Sequence, residues 1–274
     1  MKHYYVSDLD GTLFSDFNGF DLASKEQLRR LLDDHEAHFT FATARVVPSA
    51  LQALGHPPIQ LPMIGCGGAV LLHPDGRLLY ECLLEPQVVR EAVDLFQSEG
   101  LGMTVILSPR GQHERRWWAP QGFKLMDSFI ASHWADESFL PLKEASDVEG
   151  LPCVGLSCCG ELDAVKRVSL WAAKYPKLRF EIVEDPYQKG VFVVFLQDDR
   201  ANKGEALLKL CAHLEISLTQ VTVFGDALND LSMFGLPCRK VAVDCAVPEI
   251  KALADIVLDA QDTVLKFMER ELKA

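Results

Sequence analysis

None of the eight cysteines, Cys66, Cys82, Cys153, Cys158, Cys159, Cys211, Cys238 and Cys245, stands in a C-x-x-C pair, which argues against a zinc ribbon or a thioredoxin-type motif. Most lie in apolar stretches, where cysteine acts as a small hydrophobe; the vicinal pair Cys158-Cys159 leaves a redox alternative open. No apolar run approaches the ~18 residues of a membrane-spanning helix. The opening segment Met1-Lys2-His3-Tyr4-Tyr5-Val6 meets Asp8 and Asp10 before a secretory apolar region can form. Basic residues are also scarce, with 27 Lys and Arg against 39 Asp and Glu and a net charge of −12. That balance disfavours nucleic acid and anionic membrane as partners, since both demand basic patches. Internal repeats, low-complexity tracts and blocks of like charge are missing too. The expectation is a cytoplasmic protein with reduced thiols, a monomer or small homo-oligomer, whose partner is small enough to be met by a local basic pocket.

What is present is an ordinary globular composition, 49% apolar and 24% charged over 274 residues. That length corresponds to about two domains and needs no disulfide or structural metal to bury a core. Strands and helices alternate. Tyr4 to Ser7 reads as a buried strand, followed by a helix with Ser24 as N-cap and Gln27 completing a capping box. Phe39 to Ala42 is a second strand, and Pro74-Asp75-Gly76 turns a hairpin between Ala69–Leu72 and Leu78–Leu84. A middle set follows: helix from Val88, strands at Met103–Leu107 and Val154–Cys158, helix from Glu161, strand at Leu178–Val183. The first pattern resumes with the strand Val191–Leu196, a helix from Lys203, strands at Val221–Phe224 and Lys240–Val243, and a helix opened by Pro248. Alternation of this kind predicts an α/β fold with a doubly wound, mostly parallel, Rossmann-like sheet. An insert at 84–188 interrupts a core made of 1–83 and 189–274.

Ligands of doubly wound sheets bind beyond the carboxyl ends of the strands. Reading just past each core strand gives Asp8, Asp10, Gly11 and Thr12, then Thr43 and Arg45, then Asn202 and Lys203, then Gly225, Asp226, Asn229 and Asp230. Carboxylates gathered at one edge repel unless a cation sits among them, and hard oxygen ligands suit Mg²⁺. A lysine and a threonine hydroxyl beside them suit a phosphoryl group, and a tight turn at Asp10-Gly11-Thr12 would offer it N–H groups. One aspartate facing phosphorus would serve as a covalent nucleophile, and a second carboxylate as general acid and base. Taken singly, each feature has a plainer reading as an Asx-turn, a helix cap or a solvated lysine. Their joint appearance in order favours the chemical one.

Asp8-Leu9-Asp10-Gly11-Thr12-Leu13 resembles the first motif of the haloacid dehalogenase superfamily of phosphohydrolases. Thr43 in Phe41-Ala42-Thr43-Ala44-Arg45 resembles its second motif, Lys203 in Asn202-Lys203-Gly204 its third, and Gly225-Asp226-Ala227-Leu228-Asn229-Asp230 its fourth. The placement of the insert resembles the Cof-type subfamily (subclass IIB), in which a C2 cap domain is inserted. The resemblance implies that Asp8 is the nucleophile and a Mg²⁺ ligand, and that Asp10 is the general acid/base and binds Mg²⁺ through its carbonyl. It implies that Gly11, Thr43, Ala44, Lys203 and Asn229 hold the phosphoryl group, and that Asp226 and Asp230 complete the metal site. Three departures stand out: Cys66-Gly67-Gly68-Ala69 replaces Asn-Gly-Ala, Asp244-Cys245-Ala246 replaces Gly-Asn-Ala, and Asp262-Thr263-Val264 replaces Asp-Gly-Val.

The insert carries no recognisable motif. Its basic, aromatic cluster Arg110, His113, Arg115, Arg116, Trp117 and Trp118 is read either as a clamp on a second anionic group or as a hairpin whose tryptophans pack inward. Arg45, Arg115 and Arg116 are the candidate substrate contacts. The leading expectation is a Mg²⁺-dependent phosphatase acting on a small phosphorylated metabolite such as a sugar phosphate, through an aspartyl-phosphate. Alternatives are a phosphomutase or phosphotransferase of the same fold, or a non-catalytic phosphoryl- or ligand-binding module.

Overall fold

The computed structural model describes residues 2–14, 19–33, 37–110, 115–119, 139–184 and 189–273. They form two compact units, one made of Met1–Tyr80 with Ala201–Ala274, the other of Glu81–Arg200.

The first unit is built on five parallel strands, β1 (Tyr4–Ser7), β2 (His38–Phe41), β12 (Val221–Gly225), β13 (Arg239–Ala242) and β14 (Ile256–Val257), in the order β14-β13-β12-β1-β2. The central strands are apolar on both faces, as expected of strands covered on both sides: all five residues of β12 are buried, and so are the last three of β1. Helices α1 (Leu22–Asp33), α2 (Val47–Leu54), α5 (Lys203–Leu214), α6 (Leu231–Phe234), α7 (Pro248–Leu253) and α8 (Val264–Lys273) connect and cover them. Helix α1 begins two residues before the expected cap. Asp21, not Ser24, accepts through its carboxylate the Ser24 N–H at 2.7 Å, because an aspartate three residues upstream reaches the orphan amides of the first turn. Pro248 opens α7 as its sequence implies.

A small antiparallel sheet, β3 (Met63–Gly65), β4 (Val70–Leu72) and β5 (Leu78–Glu81), adjoins β2 through a bridge between Ala42 and Ile64. Its turn is held by Asp75, whose carboxylate accepts from the Arg77 backbone N–H at 2.9 Å and from its Nε at 2.8 Å.

The second unit is a six-stranded sheet with the order β10-β11-β9-β6-β7-β8. Its strands are β6 (Gly102–Leu107), β7 (Arg115–Trp118), β8 (Phe139–Pro141), β9 (Cys153–Glu161), β10 (Leu178–Glu184) and β11 (Val191–Asp198). Only β7 and β8 pair in parallel. Helices α3 (Pro86–Ser98) and α4 (Leu162–Ala172) bury Val89, Val93, Phe96, Val165 and Val168 against Met103, Val105, Leu156, Val194 and Leu196 of the sheet. Strand β11 departs from the sequence reading. It pairs antiparallel with β9 and β10 instead of joining the parallel sheet. Its alternating burial, with Val194 and Leu196 inside and Phe195 43% exposed, is that of a sheet covered on one face. Near the two ends of this unit, the Cys82 thiol donates to Asp198 Oδ1 at 3.4 Å, and Arg200 caps the same carboxylate with Nε at 2.7 Å. No described helix is long and apolar enough to cross a membrane.

Candidate active site

The site of the first unit lies where β1, β2 and β12 end. The Asp8 N–H donates to the Phe224 carbonyl at 3.0 Å, so the chain leaves β1 still fastened to β12. A turn follows in which the Gly11 N–H donates to the Phe14 carbonyl at 3.0 Å and the Leu13 N–H to the Leu9 carbonyl at 2.9 Å. The Thr12 N–H also points to Leu9, at 3.3 Å. The Gly11 and Thr12 amides are therefore spent inside the turn, a correction to the expectation that they would be offered to an anion. The need for Gly11 is steric instead. Its φ is +88°, and a Cβ there would lie 2.4 Å from Asp226 Oδ2. Thr12 donates its hydroxyl to Asp226 Oδ1 at 2.6 Å, which ties the first acidic turn to the second.

Lys203, at the start of α5, is 1% exposed and extends its ammonium to 2.7 Å from both Asp8 Oδ1 and Asp230 Oδ1. Asp230 Oδ2 accepts the Asp226 N–H at 3.0 Å and the Ala227 N–H at 3.2 Å, closing the turn after β12 as an N-terminal cap. Carboxylate oxygens of Asp8, Asp226 and Asp230 lie within 4.8 Å of one another. Burial pushes the Asp8 carboxyl up to about 7; the Lys203 ammonium opposes this and the Asp230 carboxylate adds to it. Burial also lifts Asp226, against the hydrogen bond from Thr12. Burial pulls the Lys203 ammonium down, but the two carboxylates outweigh it and hold lysine above its usual range. One cation facing three acidic side chains leaves net negative charge in a buried place. That is the donor set a hard divalent cation such as Mg²⁺ fits. The buried Asn229 Oδ1 has no hydrogen-bond partner among the described residues, so a further oxygen donor beside this turn is still unspent.

Asp10 does not share that cluster with its carboxylate. It forms a two-pronged ion pair with Arg45, whose Nε donates to Oδ2 at 2.8 Å and whose terminal nitrogen donates to Oδ1 at 2.5 Å. Sequence spacing gave no sign of this partnership. Thr43 is fully buried and accepts the Arg45 N–H on its hydroxyl at 3.1 Å. Ala44 is exposed between them. The Thr43 loop is braced by the segment that departs from the family pattern: the Cys66 N–H donates to the Arg45 carbonyl at 2.8 Å and the Gly67 N–H to the Thr43 carbonyl at 2.9 Å. A second of the three departures also borders the site, since the exposed Cys245 directs its thiol to the Gly11 carbonyl at 3.3 Å.

Arg115 and Arg116 lie on β7 of the second unit, opposite Ile106 and Val105 of β6. Trp118 packs against the core of that unit. Arg110 pairs with Glu81; His113 lies outside the described residues. Cys158 and Cys159 are both free thiols, and burial raises Cys158 well above the usual thiol range, which disfavours a reactive thiolate there.

Comparison with known proteins matches this arrangement to one family. The Bacillus subtilis phosphatase YwpJ is 26% identical over an alignment of 280 positions, gaps included, that covers 93% of this chain and 94% of that protein. A phosphoglycolate phosphatase from Sulfurisphaera tokodaii is 44% identical over 73 residues, 26% of this chain and about a third (32%) of that protein. Among solved structures, a haloacid dehalogenase-like hydrolase from Bacteroides thetaiotaomicron superposes with a TM-score of 0.80 at 18% identity, covering 99% of this chain and all of that one. A haloacid dehalogenase subclass IIB sugar phosphatase superposes at 0.73 and 17% identity, covering 98% and 99%. The profile described as haloacid dehalogenase-like hydrolase matches residues 5–268, and the chain belongs to that family.

Proposed function

We propose that this protein is a Mg²⁺-dependent phosphatase that removes the phosphoryl group from a small phosphorylated metabolite, of the sugar phosphate class, through an aspartyl-phosphate on Asp8. The observation that carries the reading is the buried triangle of Lys203 with Asp8 and Asp230 at 2.7 Å each, beside a third carboxylate, Asp226. Asp8, Asp226 and Asp230 would hold the cation, with the Asp10 carbonyl as a further oxygen ligand. The bound cation would draw the Asp8 carboxyl down from its raised position and neutralise phosphoryl charge.

The steps assigned to the chain are these. Asp8 attacks phosphorus as the ester P–O bond breaks, and Asp10, once its carboxyl has left Arg45 and taken up a proton from water, hands that proton to the departing alkoxide. Asp10, now a carboxylate, takes a proton from the water that attacks the aspartyl-phosphate, releasing inorganic phosphate and restoring Asp8. Lys203 offsets phosphoryl charge, while the Thr43 hydroxyl and the Asn229 side chain bind its oxygens. The Arg45 guanidinium holds the Asp10 carboxylate in one orientation, and a second anionic group on the substrate would compete for it. We assign Arg115 and Arg116 to recognition of the leaving group, and the segment 84–188 to a cap over the site.

The test is phosphate release from a panel of phosphorylated metabolites, with Mg²⁺ and with chelator, for wild type and Asp8→Asn. Metal-dependent release that disappears in the variant supports the reading. Conversion of substrate to an isomer with little free phosphate would replace it with a mutase.

A further inference from the structure

Lys203 owes its place between two carboxylates to its backbone, since a fully buried lysine side chain has no slack with which to correct a misplaced Cα. We infer that Gly68 and the Gly204–Ser232 pair act as a two-sided clamp on the Asn202-Lys203-Gly204 backbone and are positioning residues for Lys203. The inference rests on the phosphatase reading for its effect on turnover, and on geometry alone for the clamp itself.

On one side, Gly68 has φ +99°, and a Cβ built there would lie 2.2 Å from the Asn202 carbonyl carbon and oxygen and 2.7 Å from the Lys203 nitrogen. No side chain fits, so the loop after β3 lies directly on the peptide that precedes the lysine. On the other side, a Cβ at Gly204 would lie 2.3 Å from the Ser232 carbonyl oxygen and 2.6 Å from its carbon. Here the contact is also polar. The Gly204 N–H donates to Ser232 Oγ at 3.0 Å, while Asn202 Oδ1 accepts the Glu205 N–H at 2.9 Å. The first amides of a helix have no acceptor within it. In α5 one is satisfied from within the chain segment and the other by a residue 28 positions away. Ser232 follows Asp230 by two residues, so the turn that supplies one carboxylate partner of Lys203 also fixes the backbone from which Lys203 extends. Ammonium and carboxylate therefore move together or not at all.

The test uses full-length Gly204→Ala, Ser232→Ala and Ser232→Thr. Three readouts are taken on each: kcat and KM for Mg²⁺-dependent hydrolysis of p-nitrophenyl phosphate, the thermal midpoint, and labelling of the Lys203 amine by acetic anhydride. Lys209, exposed on the same helix, is the internal reference. Wild type should leave Lys203 unlabelled while Lys209 reacts. Gly204→Ala should lower kcat by about 10²-fold, the size expected when a reacting group moves by about an ångström, with KM changed less than about threefold and Lys203 becoming labelled. Ser232→Ala should lower kcat by about tenfold, an effect of order 1.4 kcal/mol. Ser232→Thr, which keeps the hydroxyl, should recover most of it.

If Gly204→Ala fails to fold, the two Ser232 variants decide the matter alone. The clamp is overturned if folded variants keep Lys203 unlabelled and kcat intact, or if the threonine variant is as impaired as the alanine one. A wild-type protein that hydrolyses no phosphate ester would sink the phosphatase reading instead, and the Lys203-to-Lys209 labelling ratio would still judge the clamp.

Discussion

The two units bury charge in opposite ways. In the parallel unit, Asp8, Lys203 and Asp230 are all sequestered and lean on one another. In the antiparallel unit the ion pairs Arg90–Glu149, Arg110–Glu81 and Arg167–Glu99 lie at the surface, and Asp198 is the one buried charge among the described residues. Removing ions from water costs several kcal/mol each, so a cluster of mutually buried charges marks a candidate place for chemistry. The difference teaches where to look for the reaction: in the unit that bears the cost. The second unit is held by its apolar core of Phe96, Val105, Leu156, Val194 and neighbours, and its named ion pairs stay at the surface.

Mutations would break or sharpen that contrast. Asp8→Asn, which removes a buried charge while keeping volume, should lower phosphate release by at least about 10³-fold, the scale of losing a catalytic group, with circular dichroism unchanged. Lys203→Met should destabilise the fold by about 3–5 kcal/mol in urea unfolding, because it strands two buried carboxylates without their cation. A third change concerns acidity. Burial raises the Asp8 carboxyl in the folded state to about 7, so without metal the folded protein holds a proton that the unfolded chain has already lost above the ordinary carboxylate range. Stability of the chelated protein should therefore fall as pH rises from about 4 towards 7, and the slope should flatten in Asp8→Asn, as thermal melts across pH would show. Finally, Arg90→Ala on the second unit should shift stability by less than about 1 kcal/mol, as exposed ion pairs do. A loss comparable to that of Lys203→Met would erase the contrast.

Much of this was readable from the chain itself. Tyr4 to Ser7, with its continuous apolar character and acidic exit, announces a buried strand and a site together, and Val221 to Phe224 does the same. Of the face that the spacing of Leu207, Leu210, Cys211 and Leu214 predicts for α5, the first three are buried and Leu214, at the helix end, is half-buried. What was hidden has identifiable causes. Strand β11 carries the β-branched and aromatic residues of a central strand, and composition alone does not tell which of two sheets such a strand joins. The Arg45–Asp10 pair depends on where two loops meet, 35 residues apart in the chain. Ser232 gives no signal at all, because a serine two residues past a motif looks like any solvated hydroxyl until the helix it caps is brought against it. Spent amides at Gly11 and Thr12 were equally invisible, since only the turn geometry decides whether an N–H looks inward or out.

The touch between Cys82 and Asp198 matters for how the chain is assembled in time. Pairing β1 with β12 aligns Tyr4 with Val221, so closing that sheet in an unfolded chain means closing a loop of about two hundred residues, a slow and entropically costly event. The second unit draws its own two ends together and takes most of that loop out of the search. It is also complete in the nascent chain before β12 leaves the ribosome, so it is placed to fold as the earlier unit. The parallel sheet would then close around a ready-made bridge, its last strands arriving to find β1 and β2 already waiting.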